Sequence, residues 1–278
     1  MSTNQKKNVI FVLTLGIIIT IAYFSTNQNN EASSNSIMEE PSINTVGEQS
    51  EIKIAALPES VSKTALQLIS MSHNNLRKSE GWVHIITTVK SDLPTGVFLP
   101  DGSEMPSNYI DECWCYIDKK GFSIKYVHIL KDEDGNILQQ VGYQDGVLVN
   151  FTLGTREENF PSFELMLDGG VIQALVDAET SGVPIEKQEV KFKDKNHIKF
   201  SYNQKYEKAI EIGGISELVE GFSVELLFSP ETGNLVSYSN IAQLKNKQEI
   251  LFAGQYLDLA EATDSAPNEI LMILENIK

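Results

Sequence analysis

The chain has 278 residues, which is enough for one large domain or two small ones with a sizeable core. It carries 22 Lys and Arg against 38 Asp and Glu, a formal net charge of −16. Because such a chain repels phosphate groups, we expect no nucleic-acid partner and no attraction to anionic lipid headgroups. The acidic residues are spread along the sequence, which is typical of a solvated surface.

The first 52 residues divide into three stretches. Residues 1–7 form a basic end, residues 8–24 are apolar and uncharged, and residues 25–52 are a polar stretch rich in Ser, Asn and Glu. As a helix, the apolar stretch would span about 25 Å, at the short end for a hydrocarbon core of about 30 Å. Two lysines precede it and no basic residue directly follows it, so the N-terminus is predicted inside and the remainder outside the cytoplasm.

The apolar stretch 8–24 has two interpretations, a transmembrane anchor and a cleaved signal peptide. Its length and the lack of a small-x-small site directly after it favour the anchor. The chain is then a single-pass protein of the cell membrane, and it is secreted if the segment is cleaved. Residues 25–52 have too few apolar side chains to offset the entropy of ordering, so they are predicted to be a disordered tether.

The remaining residues, 53–278, are predicted to form one extracytoplasmic domain. Helical periodicity begins after Pro58, and a second helical pattern covers residues 160–180. Pro267 starts a third helix. Residues 205–221 are ambiguous between strand and loop. Runs with period two and many β-branched or aromatic residues predict strands at 81–90, 113–117, 122–130, 136–143, 147–153, 185–193, 197–203, 222–228, 235–244 and 249–257.

This order of elements predicts an α+β fold. It consists of a large curved antiparallel β-sheet, a half-barrel, covered on one face by helices and preceded by a single N-terminal membrane helix. The two-residue turn Asp134-Gly135 supports a meander of hairpins in the first half.

Several segments carry a resemblance to a known family. A helix leads directly into "WVHIITTV", "WCYIDKKGFSIKYV" is followed by "YQDGVLVNF", and "ELLFSPETGNLVSYS" contains a Thr-Gly turn between strands. These features resemble the lipoprotein-carrier half-barrels of the LolA, LolB and RseB type, over most of residues 55–278. The resemblance implies an apolar cavity that binds acyl chains or a peptide, without catalysis. No arginine matches the one that gates the pocket of LolA-type carriers, so no residue is carried over as functional.

The two cysteines, Cys113 and Cys115, are the most conspicuous chemical feature. Zinc usually takes four ligands, and no second Cys pair or closely spaced His pair is present, so no metal site is predicted. His84 and His128 fall on predicted strands near the cysteines, which keeps a Cys/His site conceivable. A Cys113–Cys115 disulfide is left open, because residues i and i+2 of a regular strand lie about 6.5–7 Å apart, at the upper edge of disulfide geometry.

Apolar side chains on the predicted strands are the better candidates for function. They share a face directed towards the helices, as core residues or as the lining of a ligand cavity. The candidates for this lining are Phe122, Ile124, Tyr126, Phe222, Val224, Leu226 and Phe228. We identify no catalytic residues and expect no cofactor.

The first functional hypothesis is a membrane-anchored binding protein that holds a lipid, an acyl chain, an acylated protein or a hydrophobic peptide, or that senses the state of the cell envelope. The alternative is a structural or interaction protein of the envelope with a fully packed core. A third hypothesis, with less support, is an extracytoplasmic hydrolase whose carboxylates cannot be paired from the sequence.

Overall fold

The computed structural model describes residues 63–76, 80–164, 175–176, 178–179 and 182–277. The predicted anchor at 8–24 and the predicted tether at 25–52 lie outside these residues. Within the described part of the chain, none of the helices has the length and apolar character needed to cross a membrane.

The described elements are two helices and twelve strands. The helices are α1 (Ala65–Leu76) and α2 (Asn268–Glu275). The strands are β1 (Gly81–Lys90), β2 (Tyr109–Ile117), β3 (Phe122–Lys131), β4 (Ile137–Gln144), β5 (Val147–Asn150), β6 (Thr155–Glu158), β7 (Phe163–Glu164), β8 (Glu186–Phe192), β9 (Lys195–Ile210), β10 (Val219–Phe228), β11 (Leu235–Leu244) and β12 (Glu249–Thr263).

All described strands belong to one open, curved antiparallel sheet. Its order is β6-β5-β4-β3-β2-β1-β12-β11-β10-β9-β8, and the short strand β7 pairs with β3. The first and last long strands, β1 and β12, are therefore neighbours in the centre of the sheet, where they join two meanders. This mostly antiparallel sheet with few helices agrees with the predicted half-barrel.

The two faces of the sheet are named here by their residues. The tryptophan face carries Trp82 and Trp114, and the thiol face carries Cys113 and Cys115. Trp82 lies opposite Tyr116 in the ladder between β1 and β2, so Trp82 shares a face with Trp114. Cys113 and Cys115 alternate with these residues and point to the other side.

Helix α2 packs on the tryptophan face. Pro267 precedes it, and its buried residues Ile270 and Leu274 lie four apart on one side. They form one core cluster with Trp82, Trp114, Val127, Ile129, Ala266 and Ile277. Helix α2 thus contacts the face opposite to Tyr126, and not the face that the sequence predicted to point towards the helices.

Helix α1 begins with a capping box at Thr64. Gln67 N donates to Thr64 Oγ1, and Thr64 N donates to Gln67 Oε1. The helix then packs on the turn between β10 and β11. Ser72 Oγ donates to Asn234 Oδ1 at 2.7 Å, and Asn75 Nδ2 donates to the backbone oxygen of Thr232 at 3.0 Å.

Several predicted segments differ from the structure. Of the predicted helix at 160–180, residues 163–164 form strand β7, residues 165–174 lie outside the described part, and helical backbone occurs at 175–176 and 178–179. Strand β9 continues through the ambiguous segment as far as Ile210. Strand β6 was not predicted, because its sequence "TREE" has no apolar alternation.

A bulge between β2 and β3 corrects the predicted face of β3. Tyr116 pairs with Lys125 and Ile117 pairs with Ser123, so the residue between Ser123 and Lys125 has no partner in this ladder. The extra residue inverts the alternation, and the fully buried Ser123 takes the place beside Ile117. Phe122 therefore lies on the opposite face from Tyr126, and 41% of its surface is exposed.

Candidate functional site

Strand β2 lies next to the centre of the sheet and carries polar side chains on both faces. Asp111, Cys113 and Cys115 point to the thiol face, whereas Glu112 and Trp114 point to the tryptophan face. The register places Cys113 opposite His128 of β3, so pairing brings together residues that are 15 positions apart in the chain.

Cys113, His128 and Asp111 form a hydrogen-bonded chain that we call the thiol relay. Cys113 Sγ lies 3.2 Å from His128 Nε2, and His128 Nδ1 lies 3.2 Å from Asp111 Oδ1. The side chains of His128 and Asp111 are 31% and 19% exposed, whereas Cys113 is 6% exposed. A thiol, a base and an orienting carboxylate are thus held in sequence.

Cys115 completes this group as a second thiol. It is fully buried, and its Sγ donates to the backbone oxygen of Val83 at 3.9 Å. Its side chain is the neighbour of Cys113 on the same face of β2. Both residues are free thiols in this structure, with His128 as the hydrogen-bond acceptor for Cys113 and Val83 for Cys115. The disulfide that the sequence left open stays a prediction.

The surroundings of Cys113 stabilise its protonated form. The neighbouring Cys115 side chain and burial raise the pKa of Cys113 well above its ordinary value, and the nearby charge of Asp111 acts in the same direction. Cys113 is therefore a thiol at neutral pH. Any reaction at its sulfur must transfer the proton, and His128 Nε2 is the adjacent base.

Glu112 organises the tryptophan face. Its carboxylate accepts hydrogen bonds from His84 Nε2 at 2.9 Å, Trp114 Nε1 at 3.0 Å and Lys131 Nζ at 2.5 Å. The His84 ring stacks on Trp114 with centroids 3.8 Å apart. Burial favours the neutral acid, but the bonds from Lys131, Trp114 and His84 outweigh it and lower the pKa of Glu112.

A second polar group on the thiol face, which we call the amide patch, consists of Gln255, Asn240 and Tyr238. Gln255 lies opposite Tyr238 in the ladder between β11 and β12. Gln255 Oε1 and Asn240 Oδ1 are buried and have no hydrogen-bond partner among the described residues. Burial raises the pKa of Tyr238 well above its ordinary value.

Apolar side chains surround the amide patch. Tyr238 lies opposite Leu226, and Asn240 lies opposite Val224. The sheet therefore brings together four of the predicted lining residues with the amide patch, and these four are at most 5% exposed: Phe222, Val224, Leu226 and Phe228.

The three predicted lining residues of β3 are arranged differently. Tyr126 is buried on the thiol face opposite Cys115 and stacks on Tyr143, while Ile124 is half-buried. Phe122 is on the other face. The sequence thus grouped residues from two separate parts of the sheet, and their role as a cavity lining stays a prediction.

Two open cavities border the described residues. One, of about 690 Å³, lies in the loop 211–218 between β9 and β10, and the other, of about 200 Å³, lies where β1 begins and β12 ends. Neither cavity is lined by the amide patch or the thiol relay. No group of three or more His, Cys, Asp or Glu side chains in the described part is arranged to bind a metal ion.

The sequence indicated the thiol relay only in part. It placed His128 and the two cysteines on neighbouring strands, but not Asp111, which precedes the predicted strand 113–117. The amide patch was missed entirely, since single Asn and Gln residues in strands are common. Only the register of β10, β11 and β12 shows that Asn240 and Gln255 meet among apolar side chains.

No family model matches the chain. No curated protein matches it either. The solved structures that it resembles include an uncharacterized conserved protein from Thermus thermophilus, with a TM-score of 0.38, 7% identity and coverage of 75% of this chain and 93% of that one.

Two further solved structures have lower scores. A LolA superfamily protein from Nitrosomonas europaea has a TM-score of 0.25 and 10% identity, covering 75% of this chain and 97% of that one. A β-barrel-like protein of a domain of unknown function from Brucella abortus has a TM-score of 0.20 and 11% identity, covering 67% and 100%. Because every TM-score is below 0.5, these likenesses carry no inference about this chain.

Proposed function

We propose that this protein binds an apolar ligand that carries a hydrogen-bond donor, and that the ligand occupies the thiol face over the amide patch. The observation that carries the proposal is the pair of buried acceptors, Gln255 Oε1 and Asn240 Oδ1, which lack a donor among the described residues. Buried polar atoms in folded proteins nearly always have a partner, because an unmade bond costs about 1–3 kcal/mol.

The chemistry around these acceptors defines the ligand. Val224, Leu226 and Phe222 offer apolar contact on one side of the patch. Both partnerless atoms are oxygens, so they accept and do not donate. A neutral amide or alcohol on a hydrocarbon chain, or a hydrophobic peptide with free N–H groups, satisfies them. An ionised fatty acid has no donor and leaves them unpaired.

The test compares two ligands that differ only in the donor. The purified full chain is loaded with the fluorescent apolar probe phenylnaphthylamine, which is then displaced by oleamide or by N,N-dimethyl oleamide. We expect oleamide to displace the probe at a concentration about tenfold lower, because the dimethyl amide leaves a buried acceptor unpaired.

Two variants test whether the preference for oleamide comes from the amide patch. Gln255→Met keeps the side-chain length and removes the acceptor, so it should reduce the preference for oleamide. Gln243→Met is the control, because Gln243 is half-buried on the opposite face of β11 and should keep the full preference. If neither ligand displaces the probe, the face is a packed core and the proposal is wrong; the alternative of a structural or interaction protein then gains support.

A further inference from the structure

We propose that Cys113 and Cys115 form a dithiol that a small hydroperoxide oxidises reversibly to a disulfide, with His128 as the base and Asp111 as a positioning residue. This site is separate from the amide patch and does not depend on ligand binding there. Two thiols and an imidazole lie on one face of the sheet, the imidazole is hydrogen-bonded to Cys113, and a carboxylate orients the ring.

Asp111 fixes the orientation of the His128 ring. Asp111 Oδ1 accepts from His128 Nδ1, which places the ring proton on Nδ1 and leaves the lone pair of Nε2 directed at Cys113 Sγ. The Cys113 thiol therefore donates its proton to Nε2. This is the arrangement in which an adjacent base activates a nucleophile at the moment of attack.

Burial determines the class of oxidant. Cys115 is fully buried and Cys113 is 6% exposed, so a protein disulfide has no access to either sulfur. A hydroperoxide is small enough to reach Cys113 past the partly exposed His128. The raised pKa of Cys113 keeps it as a thiol at rest, so attack requires the base beside it.

The reaction has two balanced steps. In the first, Cys113 sulfur attacks the terminal oxygen of the hydroperoxide, the O–O bond breaks, and the thiol proton passes through His128 Nε2 to the leaving alkoxide. The products are a sulfenic acid at Cys113 and an alcohol. In the second, Cys115 sulfur attacks Cys113 sulfur, the S–O bond breaks, and hydroxide leaves with the Cys115 proton as water.

The position of Cys115 makes the second step possible. Cys115 is the neighbour of Cys113 on the same face of β2, two positions along the strand, which is at the upper edge of disulfide geometry. The bulge in β3 opposite Tyr116 and Ile117 makes the adjacent ladder irregular, and oxidation requires the β2 backbone to adjust beside it until the sulfurs meet.

The experiment treats the purified full chain with hydrogen peroxide at neutral pH and follows free thiols in denaturant together with intact mass. We expect loss of both thiols and of two hydrogen atoms, reversed by dithiothreitol. Cys115→Ser should gain one oxygen atom at Cys113, trapped by dimedone. Cys113→Ser should leave Cys115 unreacted, because no base in the described part contacts it.

His128→Gln tests the base, with His197→Gln as the matched control, since His197 is buried and bonds only the backbone of Lys195 in the described part. We expect His128→Gln to oxidise about 100-fold more slowly at neutral pH and to recover at high pH, where the thiolate forms without a base. His197→Gln should retain the wild-type rate. Wild-type thiols that persist under peroxide, oxidation of His128→Gln at the wild-type rate, or a mass gain of oxygen in place of a disulfide would each overturn the proposal.

Discussion

At the scale of single residues, Glu112 joins three strands. Its carboxylate accepts from His84 of β1, Trp114 of β2 and Lys131 of β3, and only 17% of its side chain is exposed. A carboxylate that is removed from water in this way is stable only while its donors are present. The lowered pKa of Glu112 reflects these donors.

Replacing Glu112 by Gln should destabilise the protein. The amide keeps one acceptor oxygen, but its NH₂ group faces one of the three donors, and Lys131 loses its charge partner. We therefore expect a loss of about 1–3 kcal/mol in the free energy of unfolding at pH 7. Urea denaturation measures it. Glu225→Gln is the control: Glu225 pairs with Lys199 at the surface and is 48% exposed, so its loss should be under about 0.5 kcal/mol.

The same variant gives a prediction of the pH dependence. The folded-state pKa of Glu112 is lowered from 4.5, so its contribution is fully present above that value and is lost as the pH falls through the lowered pKa. The difference in stability between the wild type and Glu112→Gln should therefore shrink in acid. A difference that stays constant from neutral pH down to the acid side of the lowered pKa would show that the effect comes from packing.

At the scale of elements, α1 packs closely against the turn that joins β10 to β11, without space for an additional side-chain atom. Gly233 in this turn has φ +76, and a Cβ atom there would lie 2.1 Å from the backbone oxygen of Leu68 and 2.8 Å from Ser72 N. Only glycine meets both requirements, a left-handed backbone and close approach of a helix.

Gly233→Ala should displace α1 from this turn. We expect a loss of about 2 kcal/mol or more in the free energy of unfolding, because both the backbone strain and the overlap with helix backbone must be relieved. Hydrogen exchange of the amides of α1 should accelerate more than that of β1. Gly135→Ala is the matched control, because Gly135 also has a positive φ, +86, but has open space around it. This variant should lose only about 1 kcal/mol in the free energy of unfolding and leave hydrogen exchange of α1 unchanged.

The elements differ in how well the sequence predicts them. Strands such as β1, β10 and β11 alternate apolar and polar residues between clear turns, and their predicted ranges agree with the structure to within a few residues. The end of β9, "KYEKAI", carries charges that mask the alternation. Pairing with β10 at Lys205 and Ile210 makes it a strand, and pairing is a property of tertiary structure.

The candidate sites depended on register even more strongly. The alternation of "CWCY" predicts correctly that Cys113 and Cys115 share one face. It does not predict which β3 residue lies opposite Cys113, because the bulge beside Tyr116 shifts the pairing by one residue. The same shift moved Phe122 off the expected face. Bulges depend on few local signals, so the face of a residue beyond a bulge is the hardest feature of a strand to predict from sequence.

At the scale of the whole molecule, the central ladder between β1 and β12 makes two meanders into one sheet. It runs from Trp82 opposite Thr263 to Lys90 opposite Gly254, so the halves cannot separate without breaking this ladder along the whole of β1. The two faces nevertheless differ in chemistry. The tryptophan face is closed by α2, whereas the thiol face carries both the thiol relay and the amide patch.

This continuity predicts one cooperative unfolding transition. Both tryptophans of the chain lie in the cluster under α2, on β1 and β2, so their fluorescence reports only that half of the sheet. Circular dichroism in the far ultraviolet reports all strands. If β1 and β12 couple the halves, urea unfolding followed by the two methods should give coincident curves. A fluorescence midpoint that clearly differs from the dichroism midpoint would mean that the β8–β11 meander unfolds separately, and that changes on the thiol face near β10 are not transmitted to β2.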